Sequence, residues 1–168
     1  MLKATGSNKE LTETAFYDHI QDILCSPELR RLRDFTHHHY TTRYQHSVNV
    51  AYYSYLVCRL LRLDHRSASR AGLMHDLFYY NRKEYNCSRV KGQPSHSRFH
   101  SSEATANAGK IAELSMLEKD IIRKHMWPAT KELPSYKESY VVSFVDKYCA
   151  VLEVVAPQLE KLRRAVSM

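Results

Sequence analysis

Residues 71–80, AGLMHDLFYY, set a histidine directly before an aspartate inside an otherwise apolar run. A polar group buried without a partner costs about 1–3 kcal/mol, so His75 and Asp76 need partners elsewhere in the chain. Working outward from this pair, helical periodicity dominates. A helix is expected from about residue 42 to 63, with His46, Val50, Tyr53, Val57 and Leu60 along one stripe. The next begins near Asp64 as N-cap and ends around Leu77. Its inner face carries Ala68, Ala71, Gly72 and His75, mostly small residues that permit close packing. Further upstream, KELTETAFYDHIQDILCS (9–26) and PELRRLRDF (27–35) read as two helices, with Pro27 at a favoured starting position.

Downstream, residues 78–99 lack clear periodicity and include the polar, basic stretch NRKEYNCSRVKGQPSHSR. This is the longest expected loop, and loops of that length inside a compact domain are often functional. Helices resume at SSEATANAGKIAEL (101–114) and SMLEKDIIRKHM (115–126), where Ser115 and Glu118 have capping-box spacing. The connection WPATKELP leads to a long apolar helix, KESYVVSFVDKYCAVLEVVA (137–156). Pro157 is expected to open or kink its last turn into QLEKLRRAV. Strand signals are absent. The expectation is an all-α fold forming one domain over 1–168, with a core of about 41–156 and N-terminal helices over 9–35.

Composition agrees. Of 168 residues 43% are hydrophobic, while Gly (4) and Pro (5) are scarce, which favours a compact, mostly helical protein over a disordered or turn-rich one. No apolar run reaches the length of a membrane span, and MLKATGSNKELTET lacks the apolar core of a signal peptide. Cys25, Cys58, Cys87 and Cys149 form no CxxC pair and read as free thiols of a cytoplasmic protein. The formal charge of +7 suits a nucleic-acid partner, a phosphorylated substrate or simply a solvated basic surface.

Candidate partners for His75 and Asp76 recur on the other helices. His46 lies near the start of an apolar stripe, and His125 follows Ile121 by one turn. Asp146 sits inside VVSFVDKYCAVL, where a carboxylate is costly unless it pairs or binds a cation. His100 begins a helix after the basic loop. Any one histidine on an apolar face is usually a hydrogen-bonded core residue. Five helical locations, each presenting His or Asp inward, point to a metal site. Mixed imidazole and carboxylate donors suit Fe, Mn, Co, Ni or Zn better than Ca or Mg.

The stretches TTRYQHSVNVA, AGLMHDL, FHSSEATANA, DIIRKHMWP and YKESYVVSFVDKY, covering residues 41 to about 150, resemble the HD-domain superfamily of metal-dependent phosphohydrolases. The wording is similar to that of small stand-alone bacterial members described only as phosphohydrolases. The resemblance implies one metal held by His46, His75, Asp76 and Asp146. It implies a second held by His100 and His125, with Asp76 bridging. Mononuclear members place an acidic residue one turn after the HD aspartate. This chain has Tyr79 there and no acid until Glu84, which favours the dinuclear class.

Two bridged cations lower the pKa of a shared water and polarise a phosphoryl oxygen, so in-line attack needs little more than cations to seat the phosphate. Asp76 as bridge belongs to this catalytic set. Arg43, one turn before His46, is the expected phosphate seat. Lys147 follows Asp146 and is aimed to the side of the metals. Arg82, Lys83, Arg89, Lys91 and Arg98 of the basic loop read mostly as solvated. His96 is a candidate proton donor or substrate contact, weighed evenly against an exposed loop histidine, and it lies close enough to take the place of His100 as a ligand.

THHHYTTR looks like a metal tract, but His37, His38 and His39 precede the helix of His46 and read as a rim segment. Arg59, Arg62, Arg66 and Arg70 suggest a basic helical face for nucleic acid, but their spacing equally describes a solvated surface, and no aromatic platform interleaves them. The expected activity is hydrolysis of a small phosphate ester or anhydride, with a nucleotide, including a dinucleoside polyphosphate, as substrate. Two alternatives share the ligand set: an iron oxygenase cleaving C–C or C–P bonds with O2, and a nucleotide sensor without turnover. Six intact ligands argue against the sensor.

Overall fold

The computed structural model describes residues 1–38 and 41–166; the side chains of His38 and of 160–166 are outside the description, as is His39 of the histidine run. Among the described residues the chain is a bundle of eight α-helices with one two-stranded hairpin. The helices are α1 (Ala15–Leu24), α2 (Pro27–Arg30), α3 (Arg43–Leu60), α4 (His65–Met74), α5 (Arg82–Ser88), α6 (His96–Ile111), α7 (Met116–Lys124) and α8 (Lys137–Val166). Among the described residues no helix is long and apolar enough to cross a membrane.

Local chemistry sets the helix starts. Thr42 caps α3 by accepting from the Gln45 N–H, and Asp64 caps α4 by accepting from Ser67. Ser115 and Glu118 form the capping box of α7, each side chain bonding the other's backbone N–H. The N-terminal expectation is corrected at both helices. The first begins only at Ala15, and the second winds into a 3₁₀ turn after Arg30, burying just Leu29 and Leu32.

Helix α3 is central, packed between α4 and α8, while α4 also meets α7 and α1. The closest approach is at Gly72, where a Cβ would lie 3.2 Å from the Ala51 Cα of α3. Ala68, Ala71 and Gly72 therefore face inward as their size suggested. Residues ahead of α1 lie across α3: the Thr5 N–H donates to Asn49 Oδ1, and the Tyr53 hydroxyl donates to Thr5 O.

Three further expectations change. Strands do occur: β1 (Thr36–His38) pairs antiparallel with β2 (Thr41–Thr42), too short a pair to show alternation. The basic loop contains α5, which buries none of its residues and so has no apolar stripe to betray it. Helix α8 runs through Pro157 without interruption.

Candidate metal centre

Five helices or helix ends deliver the side chains singled out by the sequence. His46 lies in the first turn of α3, His100 in the second turn of α6 and Asp146 in α8. His75 and His125 are the C-cap residues of α4 and α7. Each C-cap ring folds back on its own helix. His75 Nδ1–H donates to Gly72 O at 2.7 Å, and His125 Nδ1–H to Ile122 O at 2.7 Å. His100 Nδ1–H donates to His96 O at 2.9 Å. A carbonyl oxygen only accepts, so these three rings carry hydrogen on Nδ1 and turn Nε2 inward. Fixing the tautomer through the outer nitrogen is how proteins prepare imidazole ligands.

The inward atoms converge. His46 Nε2 lies 3.0 Å from Asp146 Oδ1, and His75 Nε2 lies 3.5 Å from the same oxygen. Asp76 stands between two groups. Its Oδ1 is 3.4 Å from His100 Nε2 and 3.8 Å from His125 Nε2, while Oδ2 is 3.9 Å from His75 Nε2. All four histidines and Asp76 are buried. The side chain of Asp146 is 14% exposed, open toward a cleft.

Electrostatics separates the two halves. Burial opposes charge on every group, but hydrogen bonds to Asp146 and Glu153 outweigh it at His46, whose pKa is pushed up to about 10. At His125, burial and the neighbouring His100 and His75 push the pKa down to about 3; His100 is lowered by burial as well. Against burial, His75 holds Asp76 well below the carboxylate range, and His46 and His75 do the same for Asp146.

This donor set fits a transition metal. His100 and His125 are neutral with Nδ1–H already donating, so their Nε2 lone pairs face each other at 2.9 Å. Two lone pairs at that distance repel unless a cation or proton lies between. His75 Nε2 is buried without a hydrogen-bond partner. Ionised carboxylates beside unsatisfied imidazole nitrogens suit Fe, Mn, Co, Ni or Zn. Sets of these atoms, including His46–His75–Asp146 and His75–Asp76–His125, lie within 4.8 Å of one another.

The site floors a cleft of about 750 Å³ lined in part by Phe35, Phe78, Arg82, Lys83, His96 and Met126. Arg43 also lines it, but not as the open phosphate seat expected from its place before His46. Its Nη1–H donates to Phe78 O and its Nη2–H to Tyr80 O at 3.4 Å, and the guanidinium lies 3.6 Å from the Phe78 ring centroid. Its first role is to clamp residues 78–80. Lys147 is directed aside: its ammonium donates to Ser143 O at 2.9 Å and His125 O at 3.1 Å. Arg82 and Lys83 line the cleft and are exposed, and among the described residues neither charged end has a hydrogen-bond or ion-pair partner. Arg70 is no part of a free basic face, since it pairs with Asp22 at 2.8 Å.

His96 opens α6 and stacks on His100 with ring centroids 4.8 Å apart. Its Nε2 is buried without a hydrogen-bond partner at the cleft wall. Burial, His100 and Arg82 push its pKa down to about 4, so near neutral pH it is an uncharged contact rather than an imidazolium acid. His100, not His96, points Nε2 at Asp76.

Two residues escaped sequence reasoning. Glu153, buried in α8, accepts from His46 Nδ1 at 3.0 Å and from Asn49 Nδ2 at 2.7 Å. Its signal was the one used for Asp146, a carboxylate in an apolar helical run, repeated two turns later. His37 does not sit on the rim. Its ring stacks on His46 at 3.9 Å, and its Nδ1 is 3.8 Å from Asp76 Oδ2.

Crossing helices thus gather histidines and aspartates around one buried point, in groups whose donor atoms could hold a metal ion. Residues 43–151, well over half the chain, match the family model of the HD domain, and the protein belongs to that family. No curated protein and no solved structure matches the chain.

Proposed function

We propose that the protein is a phosphohydrolase using two transition-metal ions to cleave a small phosphate ester or anhydride, a nucleotide by preference. The HD domain is typical of metal-dependent phosphohydrolases, which gives the reaction class. The observation that carries the reading is the pair of facing, neutral Nε2 atoms of His100 and His125 beside Asp76, next to a second group built by His46, His75 and Asp146. When bound, such an ion pair supplies an acidified water and polarises phosphoryl oxygen.

The chain's own residues do the rest. Asp76, with one oxygen toward each group, would bridge the two ions. Arg82 and Lys83 meet the negative substrate at the mouth, where exposed cations also raise encounter rates. His96 offers a neutral ring edge to the substrate, and the Phe78 ring, held by Arg43, walls the cleft beside it. Four free thiols, with Cys25 and Cys87 exposed, suit a cytoplasmic setting.

The test is metal analysis of protein purified without chelator, followed by a phosphate-release screen over nucleotides and simple esters. Two transition-metal ions per chain with metal-dependent phosphate release is the expected result. Iron-dependent oxygen uptake without phosphate release would overturn the hydrolase in favour of an oxygenase.

A further inference from the structure

His37 approaches the centre from outside the helices, on β1. Its position is set by short-range geometry. Thr36 pairs in register with Thr42, the N-cap of α3, and the Arg43 N–H donates to Phe35 O at 2.8 Å. The hairpin is therefore fastened to the same turn that presents His46.

The side chain then meets two of the donors already described. Its ring lies nearly parallel to that of His46, 21° between planes. Its Nδ1 is 3.8 Å from Asp76 Oδ2, beyond hydrogen-bond length. Two donors each about 2.1 Å from one ion stand roughly 3.0 Å apart at a right angle and 4.2 Å apart in line. The separation falls within that range, and ligand atoms of His37, His46 and Asp76 all lie within 4.8 Å of one another. Asp76 decides which ion is concerned. Oδ1 faces His100 and His125, whereas Oδ2 faces His75 and His37.

We propose that His37 is a fifth protein ligand of the metal held by His46, His75, Asp76 and Asp146. The inference rests on the dinuclear reading above and deepens it. One ion then has five protein donors and is nearly closed. The other has only His100, His125 and one oxygen of Asp76. Fewer protein donors would leave that second ion the more accessible one, on the side of the cleft walled by His96 and Phe78.

Titration of the metal-free full chain with Co²⁺, followed by visible absorption, tests this with His37→Phe, which keeps a stacking ring and removes the donor. The expected result is a tenfold or greater loss of affinity at one site, a changed d–d spectrum for that site, and the other site untouched. His37→Gln, smaller and still polar, carries the same comparison if the Phe variant fails to fold. Wild-type affinity and spectrum in the folded variant would overturn the ligand role and leave His37 a packing residue. His46→Ala separates the two readings. Co²⁺ uptake that depends on His46 but ignores His37 sinks only the present inference, whereas no uptake by the wild-type chain sinks the metal centre with it.

Discussion

At the scale of single residues, the outer nitrogen of each imidazole matters as much as the inner one. Glu153 is the sole carboxylate among the partners described for those outer nitrogens, and its charge keeps the His46 ring electron-rich. Glu153→Gln preserves shape and one acceptor while removing that charge. Metal affinity should fall roughly 10–100-fold, as for other ligand-supporting residues, with the fold intact by circular dichroism; competition with a chromophoric chelator measures it. The ligands themselves differ in consequence. Asp76→Ala should abolish both sites because Asp76 turns one carboxylate oxygen toward each group, whereas His125→Ala should leave about one metal per chain, since each ion needs its own set of donors. Metal content by mass spectrometry decides; two metals retained in His125→Ala would return His125 to the core. His100 is visible in the sequence because it opens a helix after the basic loop, and His46, His75, Asp76, His125 and Asp146 because each interrupts an apolar run. Glu153 does the same and was passed over. His37 was hidden because a three-residue strand has no period from which to infer a facing.

At the scale of elements, capped helices were the legible ones: Thr42, Asp64 and Ser115 mark their starts in the chain and in the structure. The solvent-exposed α5 and the hairpin were not, because neither buries a patterned face. Pro157 does not open the helix, because a missing N–H says where a helix is weakened, not whether the residues on either side continue it. The α3–α4 crossing gives a prediction with an internal control. In Gly72→Ala the new methyl meets backbone of Ala51, which cannot swing away as a side chain would. The helices must part, costing about 1–3 kcal/mol and drawing His46 away from His75. Gly109, in α6, has nothing within 4 Å of its would-be Cβ. Gly109→Ala should instead stabilise by about 0.5–1 kcal/mol. Urea midpoints of both variants, with metal affinity for Gly72→Ala, check the contrast.

At the scale of the whole molecule, the metal-free protein should be most stable near pH 6.5–7. On the acid side, His125 has a folded pKa of about 3 against an ordinary value near 6.5, so between those values only the unfolded chain takes up its proton. Stability falls as pH drops through that window, by up to about 1.4 kcal/mol per pH unit for this one proton. On the alkaline side, His46, raised to about 10, contributes stability that is complete below about 6.5 and is lost as pH climbs to its folded value. Denaturant midpoints from pH 4 to 10 should trace a dome; a flat profile would show that these histidines do not titrate as their surroundings dictate. The origin of those surroundings also orders events in time. His75, His100 and His125 find their acceptors three or four residues away in their own helices, so forming the helix suffices to orient each ring. His46 waits for Glu153, 107 residues later, and for Asp146 on the same final helix. Synthesis runs from the N-terminus, so a nascent chain can prepare one side of the centre while α8 is still being made. The His46 side closes only once translation has delivered that helix, and a chain interrupted before it lacks half the means of capturing metal.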